Sequence, residues 1–324
     1  MTMPHPVPPE ATLADVGEFG LIGELTGRFA QGPQSYVGPG DDAAVIKTPR
    51  GHVVVSTDLL VEGRHFRREW AGAADIGRRA AAANLSDINA MGGAAHSLTV
   101  GLAAPADLAV QWVLDLADGI AEEAAIVGAS IVGGDLTTAS EIVVAITVLG
   151  TCDVTPVLRG GARPGDVVAL AGRVGWAAGG HAVLARGFRS PRVLVDAYQR
   201  PQPPYTAGAA AAQAGATSMI DVSDGLVADL GHVAVASGVA IDLQRDAFEV
   251  PEPLHAVSAA RGADPMQFIL GGGDDHAIAA TFPAGTELPE GFVAIGSVSE
   301  PGDDGPVVTL DGAAYDGPAG WSHF

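Results

Sequence analysis

Acidic residues recur in short turns that close apolar runs, and most of these turns carry glycine. They stand at Gly40-Asp41-Asp42, Ser56-Thr57-Asp58, Asn84-Leu85-Ser86-Asp87, Gly133-Gly134-Asp135, Asp221-Val222-Ser223-Asp224-Gly225 and Gly272-Gly273-Asp274-Asp275. Each apolar run must be buried, so the fold has to find a place for a carboxylate at the end of each one. A single aspartate in a tight turn is ordinary, because its side chain bonds nearby backbone. A fold that gathers many of them creates mutual repulsion, and divalent cations relieve it. Carboxylates converging in this way mark a site that handles phosphates.

A length of 324 residues accommodates two domains, each with its own core. The 48% hydrophobic and 5% aromatic fractions describe cores packed mainly with Ala, Val, Leu and Ile. A formal net charge of -21 leaves no basic surface to neutralise nucleic acid or an anionic membrane, so neither partner is expected. An anionic substrate must then be received by metal ions or by a few placed arginines. Cys152 is the only cysteine, which excludes an intramolecular disulfide and a cysteine-rich zinc site and makes the cytoplasm the natural compartment. Residues 1–10 are proline-rich and lack the basic-then-apolar pattern of a signal peptide. No uncharged apolar run reaches the roughly 18–20 residues that span a bilayer. Lys47 is the only lysine and sits in a strand pattern, so a Walker A loop is excluded; the protein-kinase motifs are missing as well.

The periodicities predict a short helix over Glu18 to Phe29, strands over Ala43 to Lys47 and Val53 to Thr57, and an alanine-rich helix over Ala73 to Met91. A strand over Ser97 to Ala103 and an amphipathic helix over Asp107 to Val127 follow, the helix carrying Trp112, Leu116 and Ile120 at fourfold spacing. Strands are then expected at Ser130 to Val132 and Ile142 to Leu149. Pro156, Gly160, Gly161 and Pro164 mark the boundary, giving domains of 1–155 and 156–324. The second half predicts strands at Val167 to Leu170, Ser218 to Ile220, Ala240 to Leu243 and Ala277 to Phe282. Helices are expected at Ala177 to Arg186, Ala207 to Gln213 and Leu226 to Ala236, with a loop or weak hairpin from Pro301 to Gly320. Strand pairs separated by helices describe a mixed α+β (α/β mixed) fold rather than a doubly wound sheet.

Two apparent motifs fail on context. Gly38-Pro39-Gly40-Asp41-Asp42-Ala43 matches a dinucleotide fingerprint in letters, but a strand follows it where a helix is required. Val222-Ser223-Asp224-Gly225 resembles a nucleophile elbow, yet Asp221 occupies the position that needs glycine. The oxygen donors of Ser56, Thr57 and Asp58 at a strand end suit a hard cation, though taken alone an ordinary Ser/Thr/Asp turn accounts for them somewhat more readily. Asn84 and Asp87 share one helix face. The paired glycines before Asp135 allow backbone to approach a ligand closely. No histidines pair at zinc-binding i, i+4 spacing, and His65 is the one placed near a substrate.

Taken in order, these blocks resemble the thiamine-monophosphate kinase family of the aminoimidazole-ribonucleotide-synthetase-like superfamily. The matching segments include Gly17-Glu18-Phe19, Gly40-Asp41-Asp42-Ala43, Ser56-Thr57-Asp58, His65-Phe66, Asn84-Leu85-Ser86-Asp87, Gly133-Gly134-Asp135, Arg159 with Pro164-Gly165-Asp166, Asp221 through Leu226, Asp229-Leu230 and His323-Phe324. The resemblance implies an ATP-dependent phosphorylation of thiamine monophosphate to thiamine diphosphate with several Mg2+ ions. It implies a two-domain synthetase-like fold: an N-terminal domain that binds ATP and Mg2+ and forms a homodimer through its sheet, and a C-terminal α/β domain that closes the substrate site. By the same resemblance Asp42, Ser56, Thr57, Asp58, Asp87, Asp135, Asp221 and Asp224 are metal ligands, and Gly134, Asp135, Arg159 and Ser223 are nucleotide contacts. His65, Asp274 and Trp321 are substrate contacts, and Asp87, Asp221 and Arg159 carry the catalysis. Two positions depart from the family pattern. Gly272-Gly273-Asp274-Asp275-His276-Ala277-Ile278 stands where Gly-Gly-Glu-Asp-Tyr-Glu-Leu is usual, and Trp321 replaces a tyrosine.

A phosphate monoester, with a second pKa of about 6, is already a nucleophile at pH 7, so no general base is required. Charge neutralisation and positioning are the whole task. The absence of a suitably placed second cysteine disfavours selenophosphate synthetase and the carbamoyl-dehydrating hydrogenase-maturation proteins. An aminoimidazole ribonucleotide synthetase-like activity and a catalytically inactive nucleotide-binding regulator are the alternatives.

Overall fold

The structure, a computed structural model, describes residues 35–37, 41–48, 51–303 and 305–321. The helix expected over Glu18 to Phe29, the Gly17-Glu18-Phe19 block, Gly38 to Gly40 and His323-Phe324 lie outside the described residues. In the first half the strands are β1 (Ser35–Val37), β2 (Ala44–Thr48), β3 (Gly51–Val61), β4 (Ala94–Ala104), β5 (Ser130–Thr138) and β6 (Val143–Thr151). They form one six-stranded sheet in the order β1-β2-β3-β6-β4-β5. Period-two alternation sets its faces. Val54 and Leu60 on β3, with Val144, Ile146 and Val148 on β6, are buried in one core with residues of α1 (Ala73–Ala90) and α2 (Val110–Ile126). Leu59 points the other way and is 52% exposed. The spacing that predicted α2 is the spacing that buries it, since Leu116 and Ile120 enter this core.

Two sequence blocks read as turns lie inside strands. β3 continues past Thr57 to Val61, because its pairing with β6 runs unbroken from Val54 to Val61. β2 pairs with β3 only as far as Val55, so the other edge of β3 is open beyond that point. There the Asp58 N–H donates to Asn84 Oδ1 at 3.0 Å, which satisfies a group that would otherwise be stranded. Gly133-Gly134-Asp135 likewise belongs to β5, paired in parallel with Thr99 to Gly101 on β4. An edge strand tolerates the glycines, which supply no side chain to pack.

In the second half, β7 (Val167–Ala171), β8 (Ser218–Val222), β9 (Ala240–Leu243), β10 (Ala277–Phe282), β11 (Phe292–Ser299), β12 (Val307–Leu310) and β13 (Ala313–Ala314) form a seven-stranded sheet in the order β13-β12-β9-β11-β7-β10-β8. The helices are α3 (Trp176–Leu184), α4 (Arg192–Gln199), α5 (Ala207–Gln213), α6 (Leu226–Ser237), α7 (Glu252–Ala259) and α8 (Met266–Gly271). β8 and β10 are buried along their whole length, one face against the main core and the other against α5 and Ala90 of α1. Most pairs in both sheets are antiparallel, with β4–β5 and β9–β12 parallel, so the mixed α+β reading holds. α4, α7 and α8 escaped sequence reading. Each is at most eight residues long and follows a proline, too short to show a helical period.

α1 lies on the seam between the sheets, touching β3 and β6 on one side and β8, α4 and α5 on the other. Asn89 near its end ties the halves together: Nδ2 donates to the Pro204 carbonyl at 3.0 Å, and Oδ1 accepts from Gly208 N at 2.9 Å. Tyr205 adds a 2.7 Å hydrogen bond to Glu123 on α2. Along the same helix Asn84 and Asp87 bond to β3 of the first sheet, while Arg79 reaches Tyr198 and Asp274 in the second half.

Candidate active site

Ser56 on β3 donates its hydroxyl proton to Asp87 Oδ2 at 2.6 Å, bringing strand and helix donors together. Burial, reinforced by Asp58, Asp221 and Asp42, pushes the Asp87 carboxyl well above the usual range. Asp42 behaves alike: burial, with Asp221 and Asp41 adding to it, raises its pKa well above normal although Arg159 opposes them. Asp42, Asp58, Asp87 and Asp221, from both halves of the chain, therefore share one electrostatic field. Arg159 is their counter-charge. Its Nη2 donates to Asp42 Oδ1 at 3.0 Å, and its backbone N–H donates to Asp41 Oδ2 at 3.0 Å. Asp41, without an assigned role from sequence, thus anchors the arginine's backbone.

Asp221 is the penultimate residue of a wholly buried strand, and its Oδ2 lies 3.1 Å from His276 Nδ1. Burial works against a charged His276, but Asp221, Asp274 and Asp58 outweigh it and raise its pKa. At the start of α6, Asp229 Oδ2 accepts from Gly225 N at 3.0 Å and Asp224 N at 3.1 Å, which fixes the turn carrying Ser223 and Asp224. Trp321 N donates to the Asp224 carbonyl at 3.0 Å, so the C-terminal segment closes over that turn. The neighbouring loop is drawn equally tight. A β-carbon at Gly273 would lie 2.0 Å from the Ser223 carbonyl oxygen, and Asp274 and His276 adopt φ values of 65° and 53°. Left-handed backbone in non-glycine residues carries strain, and such strain collects at functional sites.

A cleft of about 460 Å³ opens beside the acidic cluster. Of the residues singled out from sequence, Asp58, His65, Ser223, Asp224, Asp274 and Trp321 line it. His65 Nδ1 accepts the Val61 N–H at 2.9 Å, which leaves its proton on Nε2. Sequence reading missed Trp70, Arg79, His181 and Tyr198, which also line it. Trp70 meets the rings of His181 and Tyr198 edge-on at 5.4 and 6.1 Å. Arg79 had a signal, since residues 79, 83 and 87 repeat at i, i+4 and i+8 on the face that carries Asp87. The aromatic residues had none, being brought together from separate segments. Asp275 serves structure: its Oδ1 accepts from Ala177 N at 3.0 Å in the first turn of α3. A second cavity, of about 340 Å³ near Arg245, Asp264 and Tyr315, holds none of the sequence-predicted residues.

Three predicted residues do not join the cluster. The Thr57 hydroxyl lies 2.8 Å from that of Thr147, on the sheet face opposite Ser56 and Asp58. Strand alternation forces the separation: consecutive side chains cannot share a face. Gly134 shares a cross-strand row with Asp58 through Ile146 and Val100, three strand spacings or roughly 14 Å away. Asp135 follows Gly134 on the exposed edge strand.

The donors around Asp42, Ser56, Asp58, Asp87, Asp221 and Asp224 are all oxygen, the set a hard divalent cation requires. Asp42 Oδ2 is buried with no hydrogen-bond partner, and burial together with the neighbouring aspartates raises the Asp42 and Asp87 pKa values. Among the described residues no three His, Cys, Asp or Glu side chains already converge closely enough to hold an ion.

Comparison with known proteins identifies the fold and the family. The AIR synthase related protein models match the chain at residues 40–152 for the N-terminal domain and 163–283 for the C-terminal domain. The two-sheet architecture is that of this class. A thiamine-monophosphate kinase of Mycobacterium tuberculosis is 45% identical over 97% of this chain and 93% of its own length. One from Corynebacterium glutamicum is 35% identical over 97% of this chain and 95% of its own. The structure of AaThiL complexed with AMPPCP and TMP superposes with a TM-score of 0.88 at 30% identity, covering 98% of this chain and all of that one. The chain belongs to the thiamine-monophosphate kinase family.

Proposed function

We propose that this chain transfers the γ-phosphoryl group of ATP to thiamine monophosphate, giving thiamine diphosphate and ADP. The observation that carries the reading is the junction of two unlike surfaces. A buried, charge-deficient set of carboxylates adjoins a cleft walled by Trp70, Tyr198 and His181 and bearing the carboxylate of Asp274. The first suits phosphates and the second a heteroaromatic cation. The family relatives are thiamine-monophosphate kinases, and one was solved with AMPPCP and TMP.

In this reading Asp42, Ser56, Asp58, Asp87, Asp221 and Asp224 would hold Mg2+. Bound there, the ions would neutralise the charge that keeps two phosphates apart. Asn84 holds β3 in place at Asp58, Asp229 fixes the turn of Ser223 and Asp224, Arg159, paired with Asp42, would supply positive charge toward the nucleotide, and Ser223 on the cleft wall would contact it. The acceptor phosphate is ionised at neutral pH, so no side chain has to remove its proton. Thr57, Gly134 and Asp135 stand apart from this set within one chain. We further infer a homodimer built on the first sheet, whose outer face leaves Leu59 exposed and whose β5 is exposed throughout. A cytoplasmic location follows from dependence on ATP.

The test is direct. Incubation with ATP, MgCl2 and thiamine monophosphate yields thiamine diphosphate and ADP in equal amounts, while Asp87→Asn and Asp221→Asn lower turnover by at least about 10²-fold. ATP binding without product supports the inactive regulator instead.

A further inference from the structure

We propose that Arg79 is the positioning residue for substrate selection: it clamps Asp274 so that the free carboxylate oxygen meets the N–H donors of the bound heterocycle. This rests on the kinase reading and names how that site recognises the organic half of its substrate. Arg79 comes from α1 in the first half of the chain, whereas its partners belong to the second. Its Nη2 donates to Asp274 Oδ2 at 2.6 Å, its Nη1 lies 3.5 Å from the Tyr198 carbonyl, and its guanidinium stacks 4.3 Å from the Tyr198 ring centroid. The arginine is 6% exposed. Its planar fork is thus held on three sides, and it makes its charge-assisted bond to a carboxylate that reaches into the cleft.

Asp274 is constrained from below as well. Its backbone is left-handed at φ 65°, and its N–H donates to the Ser223 carbonyl at 2.8 Å. The backbone therefore sets the direction of Cβ, and Arg79 sets the remaining torsions by holding Oδ2. Among the described residues no hydrogen bond reaches Oδ1, and the side chain is 48% exposed. One oxygen is anchored and the other is left for a ligand of the cleft, which Trp70 and Tyr198 also line. Such an acceptor, already oriented, selects a ring that carries N–H donors and positive charge over one that carries acceptors. Arg79 itself need not touch the substrate.

The test uses the full chain with Arg79→Met, Arg79→Lys, Asp274→Asn and the Arg79→Met/Asp274→Asn pair. KM for thiamine monophosphate and for ATP is measured, with calorimetric binding of thiamine monophosphate alone. Arg79→Met is expected to raise the KM for thiamine monophosphate at least about tenfold, the scale of one lost charge-assisted hydrogen bond, with kcat and the KM for ATP changing far less. Arg79→Lys recovers part of the loss, and the double variant binds no worse than Asp274→Asn alone. Additive losses in the double variant, or an unchanged KM in Arg79→Met, overturn the proposal. If Arg79→Met does not fold, Arg79→Lys and Asp274→Asn with their double variant carry the same cycle. A wild-type chain that makes no thiamine diphosphate overturns the kinase reading, and the inference with it. A wild-type chain that does, with unaltered Arg79 variants, overturns the inference alone.

Discussion

The seam between the two halves is testable at Gly208. There α5 lies so close to α1 that a β-carbon would sit 1.7 Å from the Asn89 carbonyl oxygen and 2.7 Å from its Oδ1. Ordinary contact begins near 3.4 Å, so Gly208→Ala must part the helices by roughly 1.5 Å. Overpacking of this kind costs about 1–3 kcal/mol. The same shift breaks the buried bond from Gly208 N to Asn89 Oδ1 and strains the one from Asn89 to Pro204, about 1–3 kcal/mol more. A total near 4 kcal/mol is a large part of the roughly 5–15 kcal/mol that holds a domain together. It corresponds to a fall in melting temperature of about 10 °C by circular dichroism. Activity should suffer too, although Gly208 does not line the cleft. α1 carries Arg79, Asn84 and Asp87, and displacing reactive groups by about 1 Å costs on the order of 10²-fold in rate. Gly231→Ala in α6 is the control, because nothing lies within 4 Å of its β-carbon position. It should stabilise by about 0.5–1 kcal/mol and leave turnover alone. A Gly208→Ala protein that melts with the wild type and keeps its activity would refute the claim that this crossing positions the site.

Asp275 offers a pH test. Burial pushes its pKa from 3.8 to about 7, so the folded chain holds this proton more tightly than the unfolded one. Stability from this group is complete below pH 3.8 and declines as pH rises through about 7, by roughly 4 kcal/mol. Asp275→Asn should flatten that decline in urea titrations between pH 4 and 8, and an unchanged slope would contradict the assignment. Asp87→Asn should melt higher than the wild type without metal at pH 8, because it removes a buried charge from the field of Asp58, Asp221 and Asp42. MgCl2 is expected to raise the melting temperature of the wild type, and the variant should lose that rise. A variant that melts lower and still responds to MgCl2 would remove Asp87 from the metal set.

Much of the site was legible because its chemistry is local in sequence. Asp221, Ser223 and Asp224 lie within four positions, Asn84 and Asp87 share a helix face, and the departures at Asp274 and Trp321 fall on residues that line the cleft. The strand limits were harder to read. Asp58 and Asp135 looked like turn residues because aspartate and glycine are poor strand formers, yet ladder pairing with β6 and β4 carries both inside strands.

Residue order alone determined the family, the mixed α+β character and the need for positive charge around the carboxylates, since these depend on residue type and near spacing. Tertiary structure decided which carboxylates meet. Strand alternation turned Thr57 away from Ser56 and Asp58, and sheet order left Asp135 at the far edge. The packing of α1 against α4 and α5 brought Arg79 to Asp274, a pair 195 positions apart. No period or motif encodes such a contact. It exists because the two halves of the chain bury their facing surfaces around one helix.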